Sequence, residues 1–320
     1  MITLSDIRTA QERLKNITIR TKLIPFPLCA EDPRRLLLKP ENQQPIGAFK
    51  LRGAYNKIAS LSEEERKKGV ISYSSGNHAQ GVAYAARALK TKSVIVMPNN
   101  APQIKREATA KLGAEIVLVG PGSEERKTKA EELAAHHGYI IVPPYNDEHI
   151  IAGQGTIGLE ILEELPEVET VLSPVGGGGL ISGVAAAIKL TNPKVKVIGV
   201  EPELAADAQA SLRQGKIVQF PAEQVSRTFA DGLRTQSIGP INFEHIRAYV
   251  DDIITVNEDE IRKAMKYLSA NPQTVAEPSG AVATAGFIFH AKDLPQSEVN
   301  VAIISGGNIE PAMLEELRRS

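Results

Sequence analysis

The chain has 320 residues, of which 42% are hydrophobic and 23% are charged, enough apolar material for one large domain or two moderate ones. Its 37 Lys and Arg residues nearly balance its 38 Asp and Glu residues, so no charge excess attracts it to nucleic acid or to an anionic membrane. The single cysteine, Cys29, excludes an internal disulfide framework and a cysteine-rich metal cluster.

The N-terminal segment, residues 1–16, is polar and helix-like, and it lacks the apolar core of a signal peptide. No later stretch approaches the roughly 18 to 20 apolar residues of a membrane-spanning helix. A lone cysteine also suits a reducing compartment. We therefore expect a cytoplasmic protein with no membrane or nucleic-acid partner, which binds a small ligand through local contacts.

Short β-branched runs alternate with helical segments along the chain. The runs are typical of buried strands and occupy residues 70–73, 93–97, 115–119, 139–142, 170–173, 196–200 and 299–304. Between most of them, apolar residues recur at spacings of three and four, as in residues 80–89, 103–112 and 124–136. The alternation predicts an α/β fold in which helices cover both faces of a parallel sheet, with ligands beyond the carboxyl ends of the strands.

One part of the chain carries enough elements for a domain of its own. Residues 66–145 contain four of the strand–helix units. We predict that they form a small domain, inserted in sequence between residues 1–65 and 146–320 of a large cofactor-binding domain. The layout predicts that the small domain closes over substrate.

Four consecutive glycines, Gly176, Gly177, Gly178 and Gly179, separate a predicted strand from an apolar helix that starts at Leu180. Without side chains, backbone N–H groups can converge on an anion, and the helix adds the positive end of its dipole. The glycines therefore favour a phosphate site, and the alternative is a tight turn for close helix–strand packing. The sequence lacks the GxxxxGK[ST] motif and the spaced glycines of a dinucleotide-binding loop, so nucleoside triphosphate and NAD are disfavoured.

Lys50 lies in the segment GAFKLRGA, among small and apolar residues at the predicted start of a helix. Burial at this position would lower its pKa and expose a nucleophilic amine, which is what an imine with an aldehyde requires. A lysine in such a context is by itself usually a surface residue. A phosphorylated aldehyde cofactor, however, needs both this amine and the phosphate site.

Six sequence blocks extend this interpretation over nearly the whole chain. In chain order they are PIGAFKLRGA, SSGNHAQGVA, IAGQGT, PVGGGG, ADG and SGGN. Together they resemble the fold-type-II pyridoxal-phosphate enzymes of the threonine dehydratase, serine dehydratase and serine racemase family. The resemblance implies the two-domain parallel-sheet fold of the tryptophan synthase β-subunit and, as a family feature, a homodimer.

The resemblance also implies a cofactor site. Lys50, beside Phe49, forms the aldimine with pyridoxal 5'-phosphate, and the glycine loop holds the phosphate together with the Leu180 amide. Asn77 binds the pyridoxal 3-oxygen, and Ser305 faces the pyridine nitrogen. A neutral hydroxyl there does not keep the ring nitrogen protonated, which favours elimination over transamination.

The implied activity is that of an ammonia-lyase (dehydratase), which converts L-threonine, L-serine or both to a 2-oxo acid and ammonia. Lys50 acts as the general base that removes the α-proton. The substrate carboxylate is expected to bind to a loop formed by Ser74, Ser75, Gly76, Asn77 and His78. The amine and side chain of the substrate are expected to lie near Tyr145, Asp231 and Gly232. The alternative role of these residues is ordinary turn formation and helix capping.

Ser75 keeps a second activity open. Many threonine dehydratases resemble this loop but carry alanine here, whereas serine racemases carry serine, which exchanges a proton on the face opposite the lysine. The alternatives are therefore a serine or aspartate racemase that uses Lys50 and Ser75, or a helix-capping hydroxyl without catalytic role. A 3-hydroxyaspartate dehydratase is also open, with Arg234 as the cation for the second carboxylate. A non-catalytic cofactor-binding protein is the least favoured reading.

Glu201, Ala205 and Asp207 match a metal site of the family. Two carboxylates and a backbone carbonyl just past a strand end suit Mg²⁺ or Ca²⁺, with waters completing the coordination, although acidic loop residues are more often simply solvated. We expect the metal to be structural. Glu277, in the block EPSG, also matches a family segment near the cofactor ring, but we assign it no catalytic duty. Since the chain ends at Ser320, soon after SGGN, feedback inhibition by isoleucine is not expected. Nucleotide activation is not expected either, because the ATP-contacting residues of mammalian serine racemase are not recognisable in the N-terminal part, where Pro45 and Ile46 precede the lysine block.

Overall fold

The computed structural model describes residues 1–28, 32–74, 76–101, 103–120 and 122–319. Within these ranges the chain alternates strands with helices. The strands are β1 (Ile24–Phe26), β2 (Arg35–Pro40), β3 (Val70–Tyr73), β4 (Ser93–Pro98), β5 (Glu115–Val119), β6 (Ile140–Ile141), β7 (Thr170–Pro174), β8 (Lys196–Pro202), β9 (Asp252–Val256) and β10 (Val299–Ile304).

The described helices cover these strands. They are α1 (Leu4–Leu14), α2 (Lys50–Ser60), α3 (Glu63–Lys68), α4 (Asn77–Ala88), α5 (Gln103–Lys111), α6 (Ser123–His137), α7 (Glu148–Glu164), α8 (Gly179–Thr191), α9 (Asp207–Gln214), α10 (Ala222–Val225), α11 (Pro240–Tyr249), α12 (Glu258–Leu268), α13 (Pro278–Phe289) and α14 (Pro311–Arg319). In this part of the chain no helix is both long enough and apolar enough to cross a membrane.

The strands form two separate sheets. The larger has the order β1-β2-β10-β7-β8-β9 and the smaller the order β5-β4-β3-β6. Every strand pair is parallel except β1 with β2. Apolar side chains from α12 and α13 pack on one face of the larger sheet, and those of α8 and α11 pack on the other. The carboxyl ends of the parallel strands are therefore left as the natural place for a ligand.

The predicted α/β fold with parallel sheets is confirmed, as are all seven predicted strands. Three strands were missed. β1 and β2 lie outside the alternation of strands with helices, and β9 is a short run, Asp252–Val256, that is absent from the predicted set. The expectation that every strand is buried is wrong for β5, which lies at a sheet edge and has no fully buried residue. The predicted domain boundaries near residues 65 and 145 stay a prediction.

A buried cluster of four charges fixes the first turn of α2. The Arg52 guanidinium donates to both oxygens of Glu41 at 2.8 and 2.9 Å and to both oxygens of Glu160 at 2.7 and 2.9 Å. It also donates to the Thr156 hydroxyl at 3.0 Å, and Lys39 donates to Glu160 at 2.6 Å. Because two cations meet two carboxylates with their hydrogen bonds satisfied, the cluster is tolerated in the core and holds α2 against β2 and α7.

Candidate active site

Lys50 is the first residue of α2, and its Nζ donates a 2.7 Å hydrogen bond to the carbonyl oxygen of Pro144. The residue is half-buried, and among the described residues no carboxylate forms an ion pair with its amine. Burial lowers the pKa of Lys50 to about 8. At pH 7 about one Lys50 amine in ten is therefore unprotonated, whereas the unprotonated fraction of a lysine with an ordinary pKa is negligible.

The glycine loop joins the end of β7 to the start of α8. Gly178 caps the helix with φ +92°, a left-handed conformation that favours glycine. A Cβ at Gly177 would overlap the ring of Tyr145, and one at Gly179 would lie 2.9 Å from Tyr145 Cβ. The loop thus requires glycine, and the first amides of α8, which have no partner within the helix, are available to an anion.

A short segment connects the reactive amine to this loop. Pro144 accepts the hydrogen bond from Lys50, and the next residue, Tyr145, packs its ring against Gly177. Burial raises the pKa of Tyr145 to about 12, so its hydroxyl keeps its proton at neutral pH. The structure therefore brings together the predicted imine-forming lysine, the predicted phosphate loop and one predicted substrate contact.

Ser305 is hydrogen-bonded to the residue that precedes Lys50. The Phe49 amide donates to the Ser305 carbonyl oxygen at 3.1 Å, and the Ser305 hydroxyl lies 3.4 Å from the Ser279 carbonyl oxygen. The Ser279 hydroxyl accepts a 2.9 Å hydrogen bond from the Gly232 amide. Ser305 directly follows β10 and is buried, with 4% of its surface exposed, so its hydroxyl is shielded from bulk solvent.

Asn77 begins α4 and is held from both ends of its carboxamide. Its Nδ2 donates to Glu277 Oε1 at 2.6 Å, and its Oδ1 accepts from Asn308 Nδ2 at 2.7 Å. Burial and the nearby Asp231 raise the pKa of Glu277 to about 7. The sequence analysis did not single out Asn308, which ends the segment SGGN, and it assigned no catalytic duty to Glu277, which begins the segment EPSG.

The loop predicted to bind the substrate carboxylate precedes α4. Within it, the Gly76 amide donates to the Ser74 hydroxyl at 3.3 Å, and the His78 ring lies buried with Nε2 3.0 Å from the Val142 carbonyl oxygen. Burial, with the positive charge of Lys50 nearby, lowers the pKa of His78 to about 3, so the imidazole is neutral. Ser75, the residue on which the racemase alternative depends, lies outside the described residues.

Asp231 and Gly232 belong to a short turn, Asp231–Leu233, of the larger-sheet region. Asp231 is exposed and forms a 2.7 Å ion pair with Lys105 of α5, which packs in the smaller-sheet region. Arg234, also exposed, donates from Nε to the Thr228 carbonyl oxygen at 2.7 Å. The turn therefore connects the two sheet regions, and its contact with substrate stays a prediction.

The predicted metal ligands lie together, apart from the lysine. Glu201 in β8 accepts hydrogen bonds from the amides of Ala208 and Gln209 at 3.0 and 2.8 Å. Asp207 begins α9, and within the described residues neither of its buried carboxylate oxygens has a hydrogen bond of good geometry, although the backbone amides of Asp207 and Ile238 lie close enough to favour its charged form. Burial raises the pKa of Asp207 to about 7, and burial with the charge of Asp207 raises the pKa of Glu201 well above its usual range.

An unsatisfied buried carboxylate beside a second one fits a cation, since a cation would neutralise both charges. Ala205, in the turn between them, is buried and could add its carbonyl oxygen. The described residues contain no group of three or more His, Cys, Asp or Glu side chains arranged for a metal. The donor set at Glu201 and Asp207 is therefore a weak one that would rely on waters.

The residues around Lys50 fit pyridoxal phosphate. A lysine with a lowered pKa supplies the amine, and a glycine loop at a helix start supplies donors for a phosphate. Asn77 and Ser305 each supply a polar side chain. The chain matches the family model described as "Pyridoxal-phosphate dependent enzyme" over residues 14–306. The protein belongs to this family of pyridoxal-phosphate-dependent enzymes.

Three known proteins show which members it resembles. The chain is 48% identical over 318 residues to the L-threonine ammonia-lyase of Thermotoga maritima, covering 99% of this chain and 78% of that protein. It is 40% identical to the L-threo-3-hydroxyaspartate ammonia-lyase of Saccharomyces cerevisiae, covering 96% and 94%. The structure of maize serine racemase superposes with a TM-score of 0.92 at 36% identity, covering 98% and 96%. The family resemblance and the fold type predicted from sequence are confirmed.

Proposed function

We propose that the protein is a pyridoxal-phosphate-dependent ammonia-lyase that converts L-threonine, L-serine or both to the 2-oxo acid and ammonia. The observation that carries the proposal is the Lys50 amine, whose pKa is lowered to about 8 at the start of a helix in a protein of this family. The identity of 48% to an L-threonine ammonia-lyase supports the substrate class.

The cofactor, when bound, supplies an electron sink for the bonds at the substrate α-carbon. Lys50 would hold the cofactor aldehyde, and the amides of Gly176, Gly177, Gly178, Gly179 and Leu180 would hold its phosphate. The first turn of α8 favours that anion because its N–H groups point outward with the positive end of the helix dipole.

Lys50 would then carry the proton of the substrate α-carbon. A general base works best when its pKa lies near the working pH, and a pKa of about 8 meets that requirement, whereas an ordinary lysine would be protonated. The Pro144 carbonyl oxygen holds the amine in place between steps. Neutral His78 adds no second positive charge beside Lys50, which keeps the amine basic enough to accept the proton.

The remaining contacts orient the substrate. We propose that the amides of the loop Ser74–His78 and the start of α4 bind the carboxylate, while Tyr145 and the turn at Asp231 and Gly232 lie near the amine and side chain. A buried, neutral Ser305 hydroxyl at the ring nitrogen would leave that nitrogen unprotonated. Elimination is then favoured over transamination.

Two related activities have specific support. Serine at position 75 and the likeness to maize serine racemase favour racemisation as a second activity, with Ser75 as the partner of Lys50 on the opposite face. The 40% identity to an L-threo-3-hydroxyaspartate ammonia-lyase favours a substrate with a second carboxylate. Arg234, which lies close to the Asp231 turn, would supply the cation for it.

Three further features are part of the proposal. Glu201, Ala205 and Asp207 would bind Mg²⁺ or Ca²⁺ in a structural role, supported by the unsatisfied buried carboxylate of Asp207. The region of residues 66–145 would close over substrate, supported by the ion pair of Lys105 with Asp231. The protein would be a homodimer in the cytoplasm, which the family resemblance and the composition of the chain support.

The test is a parallel assay of the purified enzyme with L-threonine, L-serine and L-threo-3-hydroxyaspartate. Both the formation of 2-oxo acid and the chirality of the remaining amino acid are followed. Oxo acid with little D-isomer establishes the lyase and selects its substrate. D-Amino acid that forms faster than oxo acid would replace the lyase by a racemase, and no change in any substrate would overturn both.

A further inference from the structure

Three polar side chains from distant parts of the sequence form a continuous hydrogen-bonded row beside the site. Asn77 begins α4, Glu277 immediately precedes α13, and Asn308 follows β10. Asn308 donates to Asn77, and Asn77 donates to Glu277, at 2.7 and 2.6 Å. At its far end Asn308 also donates to the Ile46 carbonyl oxygen at 2.9 Å.

This row determines which way each carboxamide faces. The Ile46 carbonyl oxygen can only accept, so the Asn308 atom beside it must be the Nδ2 donor. The second N–H of that amide points to Asn77, which makes the nearer Asn77 atom its Oδ1. The opposite end of Asn77 is then Nδ2, and one of its two N–H groups donates to Glu277. The Ile46 backbone carbonyl, which is only an acceptor, thus determines the orientation of the side-chain amides of both Asn308 and Asn77.

One N–H of Asn77 is left without a protein partner among the described residues. We infer that Asn308 and Glu277 are positioning residues, which aim this second N–H of Asn77 at the 3-oxygen of the cofactor. The inference rests on the proposed function, because it takes pyridoxal phosphate to be the group that Asn77 meets. Neither residue needs to touch the cofactor for this role.

The packing at Gly306 shows that the row has little freedom to rearrange. A Cβ at Gly306 would overlap Glu277 Oε1 and would lie 3.0 Å from Asn77 Nδ2. The Gly306 carbonyl oxygen also accepts a 3.1 Å hydrogen bond from the Glu277 amide. Glu277 is therefore fixed by its own backbone as well as by its side chain. Its carboxyl accepts from Asn77 whether or not it is protonated, because a carboxylic acid keeps an acceptor oxygen.

The test uses Asn308→Asp in the holoenzyme. This isosteric change removes both donors, so Asn77 Oδ1 faces a carboxylate in its present orientation and would face Glu277 Oε1 if the amide turned over. In neither orientation are both ends of the carboxamide satisfied, so the second N–H of Asn77 loses its fixed direction. We expect the affinity for pyridoxal phosphate to fall about 10- to 100-fold, the range for one hydrogen bond to a charged group. The visible absorbance of the bound cofactor should also change, and its pH titration should shift.

Asn42→Asp is the matched control. Asn42 lies in a neighbouring turn, and its Nδ2 likewise donates to two carbonyl oxygens, those of Gln273 at 3.0 Å and Val275 at 3.1 Å. The same chemical change there costs similar hydrogen bonds without contacting Asn77. We expect lower thermal stability with the cofactor affinity and spectrum of the wild type.

Variants of Glu277 test the other end of the row. Glu277→Gln keeps an acceptor oxygen and should retain the wild-type spectrum, whereas Glu277→Leu should behave like Asn308→Asp. If Asn308→Asp does not fold, Asn308→Ala, which removes the donors without adding charge, carries the same expectation. Wild-type affinity and spectrum in a folded Asn308 variant would overturn the inference.

The readout separates this inference from the proposed function. Failure of the proposed lyase would appear as a wild-type protein that binds the cofactor but forms no 2-oxo acid. Failure of the positioning role would appear as an unchanged cofactor spectrum in the Asn308 variants, whatever the turnover of the wild type.

Discussion

The Lys50 amine donates a 2.7 Å hydrogen bond to the carbonyl oxygen of Pro144, although 94 residues separate the two. Pro144 is followed by Tyr145, whose ring packs against Gly177 of the glycine loop. One short segment thus connects the group that would form the imine with the loop that would hold the phosphate. A cofactor with an aldehyde and a phosphate would be bound at both ends.

Replacement of Lys50 by alanine should abolish turnover while leaving the fold intact. The change removes both the amine that holds the cofactor and the base for the α-proton, so we expect the rate of 2-oxo acid formation to fall by more than about 10³-fold. Lys57→Ala, in the same helix α2, is the control because the Lys57 amine pairs with Asp147 and not with the Pro144 carbonyl oxygen that accepts from Lys50. Circular dichroism reports the fold. Residual activity close to that of Lys57→Ala would contradict the assignment.

The reaction of the apoprotein with pyridoxal phosphate should depend on pH through the Lys50 amine. Because burial lowers the pKa of Lys50 to about 8, the unprotonated fraction grows as pH rises and saturates above that value. The initial rate of formation of the yellow species should rise about tenfold per pH unit below pH 7.5 and level off near pH 9. Nα-Acetyl-lysine amide, measured in parallel, corrects for ionisation of the cofactor. A rate that keeps rising to pH 10 would show that Lys50 has an ordinary pKa.

Asp207→Asn should stabilise the metal-free protein at pH 8. The pKa of Asp207 is raised to about 7 in the folded state, so the folded protein holds this proton more tightly than the unfolded chain does. The stability contributed by the protonated group is therefore complete below about pH 4 and is lost as pH rises to about 7. Removing the charge should recover on the order of 2–4 kcal/mol in the free energy of unfolding, measured by urea denaturation.

The same variant tests the metal site. Mg²⁺ at a hundred times its Kd should stabilise the wild type by about 2.7 kcal/mol, a gain that Asp207→Asn should lack. Glu203→Gln is the matched control, because Glu203 is an exposed carboxylate in the same turn. It should respond to Mg²⁺ as the wild type does. Equal responses in all three proteins would place the cation elsewhere.

Arg52→Ala should destabilise the protein far more than removal of a surface charge. Arg52 is fully buried and satisfies Glu41 and Glu160, so its loss leaves two carboxylates in the core without their main partner. We expect a cost of about 3–5 kcal/mol in the free energy of unfolding. Lys67→Ala, which breaks the exposed pair with Glu63, should cost less than about 0.5 kcal/mol. A comparable cost for both would show that water reaches the cluster.

Ser75→Ala should separate racemisation from elimination. If Ser75 exchanges the proton on the face opposite Lys50, its loss should reduce formation of D-serine by about 100-fold or more while 2-oxo acid formation continues. Chiral chromatography and an oxo-acid assay on the same samples measure the two rates. Ser226→Ala, which removes an exposed hydroxyl that bonds only to the Glu223 carbonyl oxygen among the described residues, is the control. Equal losses of both products in Ser75→Ala would indicate that the hydroxyl only shapes the loop.

Local sequence was sufficient to predict a structural feature wherever its residues are consecutive in the chain. The strand that ends at Pro174, the glycines and the helix that follows are contiguous, so backbone geometry and donor supply could both be read directly. The same holds for Lys50 at a helix start. The sequence did not predict that β1 pairs antiparallel with β2. The direction of strand pairing depends on the path of the chain between the two strands, which residue types at short spacing do not define.

By itself, the sequence determined the α/β class, the parallel strands, the glycine turn before α8 and the position of Lys50 at a helix start, since each follows from residue types at short spacing. Only the tertiary structure decided that Asn308 donates to Asn77, that Arg52 meets Glu41 and Glu160, and that the carboxylate of Asp207 is buried next to Glu201. The physical reason is that hydrogen bonds and desolvation act between atoms that are close in space. Residues 231 positions apart, such as Asn77 and Asn308, carry no local signal of that closeness.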